Sequence, residues 1–425
     1  MFLNMMQDWA GWLLMLFSFS IVLLWKSVRS DTKVVHAIWF CMVFHHAVAF
    51  LDTYVCNVIG ADMDADSTHL IGVKLAALPE PEWVYGTSVF PESGQIIYTQ
   101  FLAFFYRAFG ASLFLGEELS VLAFVLTCVV LVKLVGLLDL RRFRVGIILL
   151  FGLLPSAVIF RSVTLRESWQ ALFFLLSVYW AVRLRERPGI LIILFMLMSA
   201  FCMGLLHHGL ARYFVYLIVI SLYWCIFSRK MIVHWLRYAR FLFAGLLIAC
   251  VIILSQKMGL FMNLGEAVEG GANLRQTLLS HTDVRTKFSF VLDTSSGLGI
   301  VTTVPRIFVE YMFAPFPWQV EHAKDIYALL ESMLRFVLLF FAVSSWRRSS
   351  GEVRSCYGFL FIVVLGIEFV WALGTANWGT AIRHHVPGYS VIVLLGAPGL
   401  ILYMRKLQFM MFVREEVSGE LNEQV

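Results

Sequence analysis

Three aspartates stand at alternate positions in one short polar segment, IGADMDADSTHLIG, of an otherwise apolar chain. If the segment is helical, Asp62, Asp66 and His69 share a face; if it is extended, Asp62, Asp64 and Asp66 share one instead. A carboxylate near an acceptor hydroxyl can remove its proton. The pair Asp62 and Asp64 can also hold Mg2+ or Mn2+ against a phosphate. One of the three aspartates fits the plainer role of a helix N-cap.

Arginines form a second set of candidates, because five of them fall in polar segments between apolar runs or beside them. The planar guanidinium group binds phosphate through two charge-assisted hydrogen bonds. The alternative at each position is an anchor to lipid headgroups or a partner for a nearby acid, as for Arg166 beside Glu167. The candidate phosphate ligands are Arg161, Arg166, Arg212, Arg306 and Arg383.

Histidines and tryptophans complete the polar candidates. A histidine can donate a hydrogen bond to a phosphate or sugar oxygen, although a lone histidine more often has a structural role. Aromatic faces stack on sugar rings, but tryptophan is also common where a helix leaves the membrane. The candidate substrate-binding residues of this kind are His69, His207, His208, His384, His385, Trp318 and Trp378.

The composition assigns all these residues to a membrane protein. The 425 residues are 60% hydrophobic and 14% charged, whereas soluble domains have about 25% charged residues. Repeated apolar runs predict membrane-spanning helices, so we expect one all-α polytopic bundle over residues 1–425 with about eleven spans. The spans are predicted near 9–25, 34–51, 117–138, 145–161, 168–184, 189–206, 211–228, 240–256, 326–345, 357–374 and 388–404.

The cysteine spacing argues against disulfides and a zinc site, and the first apolar run argues against a signal peptide. The chain has seven cysteines, with no CxxC or Cys/His metal spacing, so neither disulfides nor a structural zinc site is expected. The first run has no basic leader and no small-residue cleavage site, which predicts a retained helix and not a signal peptide.

Basic residues sort the connections into two faces. One face collects most of the Lys and Arg residues, in short connections such as DLRRFR, and the positive-inside rule makes it cytoplasmic. The N-terminus is then outside and the tail 406–425 inside. The outer face carries the long loops 52–116 and 257–325.

Two amphipathic segments are predicted at the outer interface. Residues 94–110 are apolar enough to span, but spanning would turn the DLRRFR connection outward, so we expect an interfacial or re-entrant helix. After the aspartates, HLIGVKLAALPEP has apolar residues at helical spacing. This pattern predicts a surface helix that starts near Asp64 or Asp66.

The unusual polar clusters all fall on the predicted outer face. Helices bundled side by side would bring these connections over one cavity; the alternative is that lipid simply excludes polar residues. The clusters are DMDADSTH, RSVTLRES, HHGLAR, VPRIFVEYMFAPFPWQVEH and NWGTAIRHH. Charged residues inside the spans cost about 2.5–3.5 kcal/mol each near the centre and are expected to pair within the bundle or to snorkel. They are Lys133, Glu331, Arg335 and Glu368.

A first large outer loop with a modified Asp-x-Asp, followed by an interfacial helix pair, resembles the GT-C class of membrane glycosyltransferases. PSAVIFRSVTLRESWQALF and GTANWGTAIRHHVPGYSVIVLL also resemble multi-pass proteins of bacterial polysaccharide assembly. The resemblance implies an inverting enzyme with a polyprenyl-phosphate-linked sugar donor and an acidic base in the first outer loop, sometimes with a divalent metal. It puts the base at Asp62, Asp64 or Asp66. Two features depart from that class: the acidic loop is expected to follow the second span, and the sequence predicts no large soluble C-terminal domain within residues 1–425.

Three functions remain open from the sequence. The first is transfer or polymerisation of a lipid-linked sugar onto a glycan or lipid acceptor in cell-surface polysaccharide synthesis. The second is a lipid-linked sugar flippase or polysaccharide transporter, and the third is a non-catalytic scaffold among the subunits of a synthase complex. Membrane lipids are expected partners and nucleic acid is not.

Overall fold

The computed structural model describes residues 8–56, 62–79, 96–226, 275–277 and 286–423. Over these residues the chain forms α-helices and single 3-10 turns, with no β-strand, as the all-α prediction requires. The helices are α1 (Trp9–Ile21), α2 (Thr32–Tyr54), α3 (Asp62–Ala77), α4 (Ile96–Phe109), α5 (Leu113–Leu137), α6 (Arg144–Gly152), α7 (Pro155–Phe160), α8 (Glu167–Glu186), α9 (Ile190–Leu205), α10 (His208–Ile226), α11 (Gly297–Phe313), α12 (Ala323–Arg348), α13 (Gly351–Gly374), α14 (Trp378–His384) and α15 (Val386–Glu423).

Five of the described helices are long and apolar enough to cross a membrane. They are Thr32–Tyr54, Leu113–Leu137, Asp325–Arg348, Gly351–Gly374 and Val386–Met410. Shorter apolar helices occupy Trp9–Leu24, Ile190–Leu205 and Gly209–Trp224. The chain therefore has the helices of a polytopic membrane protein. The total of about eleven spans stays a prediction, and the span predicted at 240–256 lies outside the described residues.

The span predicted at 145–161 is not one continuous helix, which corrects the sequence reading. Helix α6 ends at Gly152, Leu154 takes an extended conformation, and α7 starts at Pro155. Proline has no N–H to donate and fits the first turn of a helix, so the chain breaks before it. The freed N–H of Ser156 donates to Glu331 Oε1 at 2.6 Å, which satisfies the broken backbone inside the bundle.

The two segments predicted to lie at the interface form a helix pair. Helix α3 packs along α4, and it begins at Asp62, slightly before the predicted start. At about 1.5 Å per residue, α4 is roughly 21 Å long, too short for a hydrocarbon core of about 30 Å. On its other side, α4 packs Tyr98, Leu102 and Tyr106 against Leu115 and Leu119 of α5.

The directions of the long helices define two ends of the bundle. Helix α15 runs antiparallel to α6 and α7, because Gly146 packs against Ile401 while Arg161 Nη2 donates to the carbonyl of Val386 at 2.7 Å. It runs parallel to α12, because Gly396 faces Leu338 and Gly399 faces Phe341. These registers bring seven basic residues to one end, called the basic end below: Arg141, Arg142, Arg144, Arg347, Arg348, Arg405 and Lys406.

Candidate active site

Arg383, in the last turn of α14, joins three helices at the end opposite the basic end. Its Nη1 donates to the carboxylate of Asp64 on α3, and its Nε lies 3.2 Å from Oε1 of Glu167 on α8. The Glu167 contact is an ion pair without hydrogen-bond alignment, since Nε has no hydrogen-bond partner among the described residues. The side chain of Asp64 is 50% exposed and that of Glu167 is 3% exposed. One acid is therefore reachable by a ligand and the other is not.

Helix termini position both the arginine and the buried glutamate. The side chain of Asn377 caps α14 by accepting the N–H of Thr380 at 2.7 Å. Asparagine is a favoured N-cap residue, so a helix of two turns can form here and carry Arg383 in its second turn. Glu167 lies in the first turn of α8, where the helix dipole stabilises a negative charge.

Two guanidinium groups and two carboxylates balance one another in this region. Burial alone lowers the pKa of Arg383, but the carboxylates of Glu167 and Asp64 outweigh it and raise the pKa above its usual value. Burial also lowers the pKa of Arg166, opposed by Glu167 and reinforced by Arg383. Arg383 thus stays fully charged, and both arginines share the field of the same two acids.

His384 is a neutral hydrogen-bond acceptor in this arrangement. Its Nδ1 lies 2.8 Å from the hydroxyl of Thr375, which donates its one proton to the carbonyl of Trp371 at 2.7 Å. Nδ1 therefore carries the proton, and Nε2 is left with a free electron pair. Burial, and then the positive charge of Arg383, lowers the pKa of His384 well below its usual value.

His207 joins the site through Trp371. The rings of His384 and His207 lie 3.9 Å and 4.6 Å from the indole of Trp371, and 6.5 Å from each other. Nδ1 of His207 accepts the N–H of Gly209 at 3.0 Å, so its Nε2 carries the proton. The Arg383 cluster, as named from here, consists of Asp64, Arg166, Glu167, His207, Arg383 and His384.

Four of the five polar connections singled out in the sequence thus meet. They are the loop 52–116 and the turns 162–167, 207–210 and 375–387. The fifth, the loop 257–325, also contacts the turn 375–387, because Phe288 N–H donates to the carbonyl of Ala376 at 2.9 Å and Trp378 N–H donates to that of Thr286 at 3.1 Å. Its candidates Arg306 and Trp318, however, have other neighbours. Arg306 is exposed and lies 5.9 Å from the Phe290 ring. Trp318 is 79% exposed and stacks on Phe316.

Three other candidates are buried and have structural contacts instead. Arg161 is completely buried, lies 4.2 Å from the Phe151 ring and links α7 to the start of α15. Trp378 is also buried, so its indole is not an open platform for a sugar ring. His385 belongs to the network described next.

His385, the residue that follows His384, belongs to a separate buried network. Arg335 Nη1 donates to Nε2 of His385 at 2.6 Å, so the ring proton is on Nδ1, which donates to Glu368 Oε2 at 2.5 Å. All three side chains are 1% exposed. Of the charged residues inside the predicted spans, Glu331, Arg335 and Glu368 therefore pair within the bundle and do not snorkel.

The remaining candidates lie on α3 and α10. His69 lies on α3 and its Nδ1 is 2.9 Å from the Tyr106 hydroxyl, which ties α3 to α4. Asp66 lies on the same helix and is half-buried. The side chains of Asp62, His208 and Arg212 lie outside the described residues. The described part of the chain contains no group of three or more His, Cys, Asp or Glu side chains suited to a metal ion.

Sequence reasoning missed a second set of buried polar residues, between α2 and α5. His46 Nδ1 lies 2.9 Å from Glu118, and Glu117 accepts the hydroxyl of Thr53 at 2.5 Å. His45 stacks on Phe124 at 3.7 Å. Their signal was present in the sequence as the doublets HH and EE within or beside apolar runs, where such residues are costly unless paired.

Comparisons with known proteins give no match. No protein-family model, no curated protein and no solved structure is significantly similar to the chain.

Proposed function

We propose that the chain is an inverting glycosyltransferase or polymerase that takes a sugar from a polyprenyl-(pyro)phosphate carrier at the Arg383 cluster. The observation that carries the proposal is the double contact of Arg383 with Asp64 and Glu167, beside Arg166. Glycosyl transfer from a phosphate needs a cation for the leaving group, a base for the acceptor hydroxyl and polar groups for the sugar. The cluster offers each of these.

In this mechanism Arg383 and Arg166 bind the phosphate of the donor. Asp64 takes the proton of an acceptor hydroxyl, whose oxygen forms a bond to the anomeric carbon on the face opposite the phosphate. The bond from that carbon to the phosphate oxygen breaks, and the lipid phosphate leaves with the electron pair. Fixed guanidinium groups stabilise this charge as it develops, without reorganisation. The anomeric configuration is inverted.

The Asp64–Arg383 contact links donor binding to the release of Asp64, the proposed base. While Asp64 accepts the hydrogen bond from Arg383, the oxygen that receives it is occupied and does not face an acceptor hydroxyl. Glu167 is buried and remains beside Arg383, whereas Asp64 is half exposed. An incoming phosphate therefore exchanges with Asp64 first, and the displaced carboxylate becomes free to accept a proton.

The two histidines have complementary hydrogen-bonding roles in the proposal. Neutral His384 presents an acceptor at Nε2, which suits a sugar hydroxyl, while His207 has its proton on Nε2 and donates. The ring of Trp371 contacts both and keeps their planes fixed. If Mg2+ or Mn2+ takes part, Asp64 with Asp62 is its proposed pair of ligands.

The proposed location is the outer face of a bacterial cytoplasmic membrane, within cell-surface polysaccharide synthesis. The cluster lies at the end opposite the basic end, and basic ends are generally cytoplasmic. Single cysteines introduced at Arg348 and at exposed Trp318 test the orientation. We expect a membrane-impermeant thiol reagent added outside to label position 318 and not position 348; the reverse result would contradict the outer-face site.

The transfer itself is tested with purified protein in proteoliposomes. A panel of polyprenyl-phosphate and polyprenyl-pyrophosphate sugars is supplied with glycan acceptors, and product is measured by mass spectrometry. We expect Asp64→Asn to reduce the rate by about 10²–10⁴-fold, as loss of a general base does. Asp139→Asn is the matched control, because Asp139 is exposed, lies at the C-terminal end of α5 outside the cluster, and has a positive φ that asparagine also tolerates; its rate should stay close to wild type. Equal rates for Asp64→Asn and wild type would reject the assignment of the base.

A second candidate, transport of a lipid-linked sugar or polysaccharide, is favoured by one observation. Helices α6 and α7 form a broken helix beside buried Glu331, and transporters often have broken helices next to internal charges. The same proteoliposomes distinguish the two functions. A transporter would move a fluorescent lipid-linked sugar between leaflets without forming a new glycosidic bond.

A further inference from the structure

An apolar groove of about 600 Å3 lies between α6, α12 and α15. Its walls include Leu149, Leu150, Leu334, Leu400, Ile401 and Met404. Polar side chains line it at one end only, where Arg405 and Gln408 are exposed. The groove therefore has a hydrocarbon-like interior and one cationic mouth.

The mouth opens at the basic end of the bundle. The contacts Gly146–Ile401 and Arg161–Val386 are separated by equal lengths of chain on the two antiparallel segments. Continuing that register past Gly146 brings Arg141 and Arg142 beside Arg405. The 3-10 turn Arg141–Phe143 does pack against α15. The parallel register of α12 brings Arg347 and Arg348 to the same level.

The length of the groove matches one leaflet of a bilayer. From Gly146 to the helix break at Pro155, the wall is about 14 Å long at 1.5 Å per residue. Half of a hydrocarbon core of about 30 Å is about 15 Å. The lining ends at Leu154 and Pro155, at the helix break, and includes no residue of the Arg383 cluster, so the groove ends near the middle of the membrane.

We propose that this groove binds an anionic phospholipid from the leaflet at the basic end, with one acyl chain along the leucines and the phosphate on Arg405. The guanidinium group forms paired hydrogen bonds with phosphate oxygens. Within the described part of the chain Arg405 has no acidic partner. The surrounding arginines repel the cationic amine of a zwitterionic headgroup, so an anionic headgroup is preferred. This inference does not depend on the proposed enzymatic function.

Lipid competition on the purified full-length protein tests the site. The protein is exchanged into micelles with equal amounts of phosphatidylglycerol and phosphatidylcholine of identical acyl chains, and bound lipids are counted by native mass spectrometry. We expect a preference of about fivefold or more for phosphatidylglycerol, the size of effect that a single basic residue near a membrane surface gives. Equal retention of the two lipids would overturn the proposal.

Two pairs of variants locate the binding. Arg405→Gln should abolish the preference, whereas Lys406→Gln removes the same charge one residue away, outside the groove lining, and should keep most of it. Leu150→Trp fills the groove and should reduce the number of retained lipids. Leu402→Trp changes an exposed leucine outside the lining and should leave the number of retained lipids unchanged. Equal effects of Arg405→Gln and Lys406→Gln would show a diffuse basic surface and overturn the site. If Leu150→Trp fails to fold, the exposed Met404 offers a second filling variant, Met404→Trp.

Discussion

The Arg383 cluster and the buried Arg335 network use the same kinds of side chain in different surroundings. Each joins an arginine to a carboxylate and a histidine, and the histidines, His384 and His385, are neighbours in sequence. In the cluster one of the two acids on Arg383, Asp64, is half exposed. In the network Arg335, His385 and Glu368 are each 1% exposed. A charge whose partner reaches solvent can exchange that partner for a ligand, whereas a charge with buried partners holds the helices together.

The largest expected effect follows from breaking the buried network. Arg335→Leu leaves Glu368 without its cation in the interior, and removing one partner of a buried pair typically costs about 3–5 kcal/mol. The free energy of unfolding in mild detergent measures the loss. Arg306→Leu, at an exposed arginine, is the control and should change it by less than about 1 kcal/mol. Similar losses for the two variants would mean that the network contributes no more than the surface does.

A second way to sharpen the comparison is to crowd the network without removing a charge. Gly388 on α15 faces the Glu368 carboxylate so closely that an added methyl group would collide with Oε1. Gly388→Ala should therefore lower the free energy of unfolding by about 1–3 kcal/mol, as overpacking usually does. Gly374→Ala is a fair control, because a Cβ there meets nothing within 4 Å. A silent Gly388→Ala would show that Glu368 can move aside, and the network would then be adaptable.

The cluster should respond to the shape of its cation, not only to the charge. Arg383→Lys keeps the positive charge but loses the planar fork that reaches two oxygen atoms at once. We expect at least a tenfold loss of product formation and weaker donor binding, equivalent to about 1.4 kcal/mol. Arg306→Lys, at an arginine away from the cluster, should be silent. If Arg383→Lys is equally silent, a simple charge suffices and the proposed phosphate ligand loses its main support.

The sequence predicts the class of fold and much of the cluster, but not which candidates are buried. Apolar run lengths are a property of local sequence, so the helical elements and the helix pair α3–α4 were predictable. Convergence of Asp64, Arg383 and His207 followed from sorting polar turns onto one face. The break at Pro155 and the burial of Arg161 and His385 depend on tertiary contacts, which local patterns do not contain. His384 and His385 look identical in the sequence, and only the direction of each side chain separates them.

The smallest expected effect concerns protons on the cluster. Burial and the charge of Arg383 lower the pKa of His384 below its usual value, which is about 6.5 in an unfolded chain. As the pH falls below about 6.5, the histidine gains a proton in the unfolded chain but stays neutral in the folded protein. The contribution to stability is therefore full above this pH and declines below it.

Thermal unfolding at pH 7.5 and 5.5 should show this decline in the wild type and a smaller decline in His384→Gln. An unchanged slope in His384→Gln would mean that the ring accepts a proton when folded. The neutral acceptor assigned to Nε2 would then be wrong, and the cluster would carry one more positive charge for an anionic donor to meet.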